Sequence, residues 1–161
     1  MDPRIGTEIA GYRIESLLAR GGMGEVYLAS QAFPERRVAL KLLPHDLASD
    51  ESFRERFVRE SNAAASLEHP NIVPVYGAGE AGGELYIAMR YVEGTDLRRL
   101  LQEDGPLSPE RAVGICAQVA DALDEAHEGP AFQETPLLLQ VPGEALGLRA
   151  ARLLEIGRAH V

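Results

Sequence analysis

The chain has 161 residues, of which 45% are hydrophobic, and this is enough for one globular domain with a core. Its net charge of −9 argues against a nucleic-acid-binding protein, which would usually present a basic face. It has no apolar run long enough to span a membrane and a polar rather than signal-like beginning, so the sequence predicts a cytoplasmic protein.

A glycine-rich turn joins the first two predicted strands. Alternating apolar and polar side chains predict these strands over residues 12–18 and 25–30. Between them, Gly21, Gly22 and Gly24 remove the side chains that would keep a polyphosphate away from backbone N–H groups. The pattern therefore predicts a strand, a phosphate-binding loop and a second strand.

A third strand is predicted around Val38-Ala39-Leu40-Lys41 and ends before Pro44. Ala39 and Lys41 fall on the same face of it, because side chains alternate with a period of two. Ala39 leaves room for a base, and the Lys41 ammonium group can reach phosphate oxygens. Together with the glycine-rich turn, this face favours a nucleotide site.

A helix is predicted to begin after Ser49 or Asp50, either of which can cap it, and to end near Leu67. One face of it carries Phe53, Phe57, Glu60, Ala64 and Leu67. Because buried acids are rare unless they are paired, we expect Glu60 to have a cationic partner, and Lys41 is the natural candidate. The alternative is that Glu60 lies at the solvated edge of the apolar stripe.

A literal G-x-G-x-x-G occupies residues 77–82, after a strand predicted to end at Tyr76. A dinucleotide fingerprint must open a helix whose N-terminus faces the pyrophosphate. An alternating strand over residues 84–92 follows instead, so we interpret the glycines as a hairpin turn.

Two helices are predicted in the last part of the recognisable sequence. The first is short, over residues 96–101, and the second begins at Ser108-Pro109-Glu110, a capping hydroxyl followed by proline and an acid. Apolar residues at helical spacing give the second helix a broad face, which is typical of a buried helix. We expect Cys116, the single cysteine, to be a buried core thiol there.

Residues 18–27 and 38–41 resemble the ATP-binding lobe of serine/threonine protein kinases, and their sequence is most similar to the bacterial, eukaryotic-like branch of that family. In the family loop G-x-G-x-x-G-x-V, this chain keeps Gly21, Gly24 and Val26. The first glycine is Ala19, which we expect to stiffen the loop and weaken nucleotide binding. The resemblance covers about residues 9–129.

The resemblance implies an α+β fold with four segments. A leader, residues 1–11, precedes a kinase N-lobe over residues 12–92, which has an antiparallel five-stranded sheet and one main helix. Residues 93–129 would be the first helices of a partial, helical C-lobe, and residues 130–161 a divergent tail.

The resemblance also implies ATP as the nucleotide and assigns its contacts. Glu60 would clamp Lys41, and Met89 would be the gatekeeper behind the adenine. The Arg90 carbonyl and the Val92 N–H would bond the adenine edge, and His69 would be a structural hydrogen-bonding residue. The predicted nucleotide-binding residues are Leu18, Ala19, Gly21, Gly22, Gly24, Val26, Ala39, Lys41, Glu60, Met89, Arg90 and Val92.

The catalytic motifs of the family do not follow. After Asp124 the sequence has no aspartate, and Asn71 is its last asparagine, so His-Arg-Asp, the catalytic-loop asparagine and Asp-Phe-Gly are all absent. The general base and both Mg²⁺-holding residues are missing. We predict no catalytic residue, no metal ligand and no phosphoryl transfer by this chain, whereas the complete family enzyme uses ATP and Mg²⁺ to phosphorylate protein substrates.

The tail, residues 130–161, admits two interpretations. Its last seven residues resemble the translation of a sequencing-adapter oligonucleotide, and one hypothesis is a truncated gene product with an artefactual end. The other is a real tail that covers the exposed helix.

Three other functional hypotheses compete with a kinase fragment. The first is a non-catalytic, pseudokinase-like module that binds a nucleotide or a partner. The second is a chain that does not fold stably because half of the second lobe is missing. A dinucleotide oxidoreductase is the weakest, because no glycine motif opens a helix.

Overall fold

The computed structural model describes residues 2–21 and 24–128. They form two compact units. The first unit contains the residues up to Ser66 together with Pro74–Tyr91, and the second contains Leu67–Val73 and the residues from Val92 onward. The predicted tail lies outside the described residues.

The first unit is built on one antiparallel sheet of six strands in the order β1-β2-β3-β4-β6-β5. The strands are β1 (Glu8–Ile9), β2 (Tyr12–Gly21), β3 (Gly24–Gln31), β4 (Arg36–Leu42), β5 (Val75–Ala81) and β6 (Glu84–Arg90). The predicted α+β fold is confirmed. The sheet has one strand more than the predicted five, because β1 lies in the leader and pairs with the start of β2.

The two faces of the sheet have different roles. On one face, Val38, Leu40 and Leu42 of β4 pack in a hydrophobic core that also contains Tyr12, Ile14, Tyr27, Ala29 and Ala88. Because side chains alternate, Ala39 and Lys41 point to the other face. The fold thus separates a core face from a second face that carries the predicted nucleotide-binding residues of β4.

Two helices complete the first unit: α1 (His45–Ala48), which was not predicted, and α2 (Glu51–Ala65). The Asp50 carboxylate accepts a hydrogen bond from the Phe53 N–H at 3.2 Å, so the predicted cap is confirmed. Phe57 of α2 forms a second core cluster with Ala48 and Leu85. The helix is therefore packed against the sheet by its predicted apolar stripe.

The prediction of a hairpin turn over residues 77–82 was wrong in its extent. Gly77 and Gly79 lie inside β5, and the turn is confined to Gly82 and Gly83, which both have positive φ angles. A Cβ at Gly79 would lie 3.5 Å from the Tyr86 ring, an ordinary van der Waals distance, so the strand tolerates a side chain at this position. The motif still opens no helix, because β6 follows it.

The second unit contains α3 (Leu97–Asp104) and α4 (Pro109–Glu128). The Ser108 hydroxyl accepts from the Arg111 N–H at 3.3 Å, which confirms the predicted start of α4. The prediction of a broad buried face on α4 was wrong. Ile115 and Ala122, seven residues apart, form a narrow buried stripe instead. Cys116 lies off this stripe and is exposed, contrary to the expectation of a core thiol.

His69 is a structural hydrogen-bonding residue within the second unit. Its Nδ1 accepts from the Asn71 N–H at 3.2 Å, and its Nε2 lies 3.1 Å from the Asp121 carboxylate of α4. Since Nδ1 is an acceptor, Nε2 carries the hydrogen and donates to Asp121. Segment Leu67–Val73 is tied to α4 by this imidazole.

None of the helices in the described part of the chain combines the length and apolarity that a membrane crossing requires.

Candidate nucleotide-binding site

The base of the glycine-rich loop is formed by two cross-strand pairs, Arg20 with Glu25 and Gly21 with Gly24. Gly24 has a φ of 110°, and a Cβ built on it would lie 2.0 Å from the Leu42 carbonyl oxygen. Only glycine fits there, because any side chain would collide with the backbone of β4. Gly22 lies outside the described residues.

A bulge in β2 precedes the loop. Leu17 pairs with Tyr27 and Ala19 with Val26, so Leu18 is an extra residue on β2. A bulge bends its strand and re-aims a side chain. The sequence reasoning identified Leu18 and Ala19 but gave no sign of this irregularity.

The second face of the sheet brings together four predicted residues from three neighbouring strands. Val26 of β3 stands opposite Lys41 of β4, and Ala39 of β4 stands opposite Met89 of β6. Ala39, Lys41 and Met89 are all buried. Since Lys41 is opposite Val26, two residues from Gly24, this lysine stands at the loop end of an otherwise apolar patch.

Glu60 of α2 is also buried, with 3% of its surface exposed. Burial raises the pKa of its carboxyl group, and the charges of Arg56 and Arg59 act in the opposite direction. Its Oε1 has no hydrogen-bond partner among the described residues. The structure thus places a buried carboxylate and a buried lysine in the first unit, and an ion pair between Lys41 and Glu60 stays a prediction.

The predicted adenine contacts fall at the end of β6. Met89 is buried, whereas the Arg90 side chain is exposed and its backbone N–H donates to the Pro74 carbonyl at 3.0 Å. Val92 belongs to the second unit. The roles of the three residues in adenine binding stay predictions.

A cavity of about 420 Å³ in the first unit lies elsewhere. It is lined by Glu51, Arg54, Glu55, Val58, Glu80 and Leu85. None of these six belongs to the predicted nucleotide-binding set. Within residues 2–21 and 24–128, no cluster of three or more His, Cys, Asp and Glu side chains could hold a metal ion.

Sequence reasoning missed one group of side chains near the loop. Asp2 and Arg4 of the leader hydrogen-bond to residues at the loop base and at the start of β6. The residues that meet there are up to 80 positions apart, so no local pattern could have revealed them.

Comparison with known proteins agrees with this geometry. The family model described as the protein kinase domain matches residues 12–130, which is most of the chain. The chain belongs to the protein kinase family. The match begins at β2 and includes the glycine-rich loop, β4 and α2.

The proteins similar to this chain include kinases from bacteria. The chain is 47% identical over 126 residues to the serine/threonine-protein kinase PknE of Mycobacterium bovis, which covers 78% of this chain and 22% of the relative. It is equally similar to the serine/threonine-protein kinase PknH of Mycobacterium tuberculosis, of which it covers 20%. The crystal structure of the M. tuberculosis PknI kinase domain superimposes with a TM-score of 0.70 at 42% identity, covering 76% of this chain and 50% of that one. The chain thus spans about a fifth of the length of the curated relatives it matches.

Proposed function

We propose that this chain is the ATP-binding part of a serine/threonine protein kinase. The observation that carries the proposal is the second face of the sheet, where Val26, Ala39, Lys41 and Met89 line up across three strands beside a loop that requires glycine at position 24. An apolar patch with a cation at one end suits a flat base followed by phosphates. The family membership agrees with this interpretation.

The phosphates would bind at the loop end of this face. Backbone N–H groups of Gly21, Gly22 and Gly24 would donate hydrogen bonds to the phosphate oxygens, and Lys41 would neutralise part of the phosphate charge. Glu60 would then orient the Lys41 ammonium group. The Glu60 carboxyl group is buried and its Oε1 has no hydrogen-bond partner among the described residues, so a Lys41 ammonium group brought close to it would compensate its burial.

The base would bind over the apolar residues beside Lys41, toward Ala39 and Met89. Leu18, Ala19, Val26 and Ala39 would contact the adenine ring, with Met89 behind it. The Arg90 carbonyl and the Val92 N–H would complete the recognition through backbone hydrogen bonds. Because only backbone groups of Arg90 are used, the exposure of its side chain is compatible with this role.

The complete protein would transfer the γ-phosphate of ATP to serine or threonine hydroxyl groups of protein substrates in the cytoplasm. The residues present here do not fit Mg²⁺, because the aspartate and asparagine that hold it in the family are absent from the sequence and the described residues offer no acidic cluster. We therefore derive no transfer step for this chain. Nucleotide binding without transfer is the function that its residues support.

Thermal unfolding with and without nucleotide tests the proposal. A ligand that binds only the folded state stabilises it by about 2.7 kcal/mol at a hundred times its dissociation constant. We expect ATP to raise the unfolding temperature of the chain, and γ-labelled ATP to leave no label on a mixture of protein substrates. An unchanged unfolding temperature at millimolar ATP would contradict nucleotide binding, and labelled substrate would contradict the absence of transfer.

A further inference from the structure

A charged cluster lies at the base of the glycine-rich loop and ties it to the N-terminal segment, residues 2–9. Arg20 and Glu25 form the last cross-strand pair before Gly21 and Gly24. The Arg20 Nε donates to the Glu25 Oε1 at 2.5 Å. The last residue pair before Gly21 and Gly24 is therefore also joined by an ion pair between its side chains.

Asp2 contacts residues of both strands that flank the loop, β2 and β3. Its Oδ2 accepts from an Arg20 terminal nitrogen at 3.0 Å and lies 3.2 Å from the Tyr27 hydroxyl, which donates to Glu25 Oε2 at 2.6 Å. The backbone N–H of Arg4 donates to the other Asp2 oxygen at 3.0 Å and holds the pKa of the Asp2 carboxyl below its usual range. Asp2 is thus ionised at neutral pH and contacts groups from both β2 and β3.

Arg4 extends the cluster to β6. Both of its terminal nitrogens donate to the two carboxylate oxygens of Glu84, and its Nε lies 3.6 Å from Glu25 Oε2. A bidentate arginine–carboxylate pair fixes geometry as well as adding energy. Through Arg4, the loop base is joined to the first residue of a strand two positions away in the sheet.

This cluster lies behind the nucleotide face. Glu25 and Tyr27 alternate with Val26 along β3, so their side chains point to the core face of the sheet and not toward the predicted nucleotide. Asp2 and Arg4 therefore have no direct contact to make with ATP. Any influence on binding must pass through the position of the loop.

We propose that Asp2 and Arg4 are positioning residues that hold the glycine-rich loop ready for the phosphates of ATP. The inference rests on the proposed function, since it assigns the cluster a role at that same site. Without these residues, the loop base loses its fixed partners and the loop must be ordered when the phosphates bind. Ordering on binding weakens affinity, whereas a loop that is already placed avoids this cost.

Nucleotides with and without phosphates separate this role from a purely structural one. The variants are Asp2→Ala and Arg4→Ala, with Asp2→Asn as a milder change that keeps the side-chain shape. Matched controls are Glu8→Ala and Arg13→Ala, which remove the same charges from an exposed pair across β1 and β2. Equilibrium titration of each 161-residue chain gives dissociation constants for ATP and for adenosine.

We expect Asp2→Ala and Arg4→Ala to weaken ATP binding roughly three- to tenfold and to leave adenosine binding unchanged, as for coupling between neighbouring sites. Asp2→Asn should have a smaller effect in the same direction, and the two controls should bind both ligands as the unchanged chain does. Equal weakening of ATP and adenosine binding, or no weakening of either, would overturn the proposal.

Hydrogen exchange of the nucleotide-free chain separates this proposal from the proposed function. Asp2→Ala and Arg4→Ala should speed the exchange of the backbone amides of Arg20, Gly21, Gly24 and Glu25, and the controls should not. If the unchanged chain binds neither ligand, the proposed function fails, and the exchange rates alone decide whether the cluster holds the loop. Unchanged exchange in both variants would show that it does not.

Discussion

Gly24 passes so close to Leu42 that a Cβ on the glycine would lie 2.0 Å from the leucine carbonyl oxygen. This contact fixes the end of the glycine-rich loop against β4, the strand that carries Lys41. Only Glu25 separates Gly24 from Val26, which stands opposite Lys41. The approach of the two backbones therefore sets how near the loop comes to the predicted phosphate site.

Replacing Gly24 by alanine should destabilise the first unit. The new methyl group would meet backbone rather than a flexible side chain, and the φ of 110° is strained for alanine. We expect a loss of about 2 kcal/mol or more in the free energy of unfolding, measured by urea titration.

Gly21→Ala is the matched control for this substitution. A Cβ at Gly21 meets nothing within 4 Å. Its free energy of unfolding should stay within about 0.5 kcal/mol of the unchanged chain. Equal losses for the two substitutions would show that the contact with Leu42 is not what requires glycine.

Glu60→Gln should stabilise the nucleotide-free chain at pH 7. Burial raises the folded-state pKa of Glu60 above its ordinary value of 4.5, so the folded state binds more protons than the unfolded state between these two values. The Glu60 contribution to stability is therefore lost as the pH rises through that window. A neutral amide removes this cost, and we expect a gain of about 1 kcal/mol at pH 7 that vanishes below pH 4.5.

Unfolding curves of Glu60→Gln and Glu55→Gln at several pH values test this prediction. Glu55 is an exposed acid on the same helix, so its substitution should leave stability and its pH dependence unchanged. A destabilised Glu60→Gln variant at pH 7 would mean that the buried carboxylate already has a stabilising partner.

His69→Ala should destabilise the second unit by about 1 kcal/mol, because it removes the hydrogen bonds to Asn71 and to Asp121. The coupling between His69 and Asp121 is measured by a double-mutant cycle with Asp121→Ala. In a parallel cycle, Asp124→Ala, an exposed acid on the same helix, should show no coupling. Strictly additive losses for His69 and Asp121 would contradict a bond between them.

Cys116 should react with a thiol reagent in the native chain. Its side chain is exposed on α4, off the buried stripe of Ile115 and Ala122. We expect one equivalent of Ellman's reagent to react before any unfolding and at a rate close to that in denaturant. A thiol that reacts only after denaturant is added would support the buried position that the sequence predicts.

Local sequence patterns predicted most of the secondary structure, because each signal acts within a few residues. Asp50 and Ser108 cap the starts of α2 and α4, and period-two alternation located β2, β3 and β6. Local patterns also located the glycines, Ala39, Lys41 and Glu60, and the family resemblance supplied the other site residues. The register places Val26, Ala39, Lys41 and Met89 on one face.

Features that depend on distant partners were not predictable in this way. Gly77 and Gly79 favour a turn locally, but pairing with β6 keeps them in a strand. The short strand β1 forms because Ile9 pairs with Tyr12 of β2, and the Arg4–Glu84 ion pair joins residues 80 positions apart. The exposure of Cys116 depends on which residues cover α4, and helical spacing alone does not contain that information.

Calorimetric titration of the folded 161-residue chain with ATP tests the central claim most directly, with Lys41→Met as the comparison. Methionine keeps much of the length and apolar stem of the lysine but removes its charge. The account predicts saturable binding of ATP by the unchanged chain and binding weaker by at least about tenfold in Lys41→Met. Equal affinity for the two chains, or no binding by a chain that is demonstrably folded, would contradict a nucleotide site on this face of the sheet.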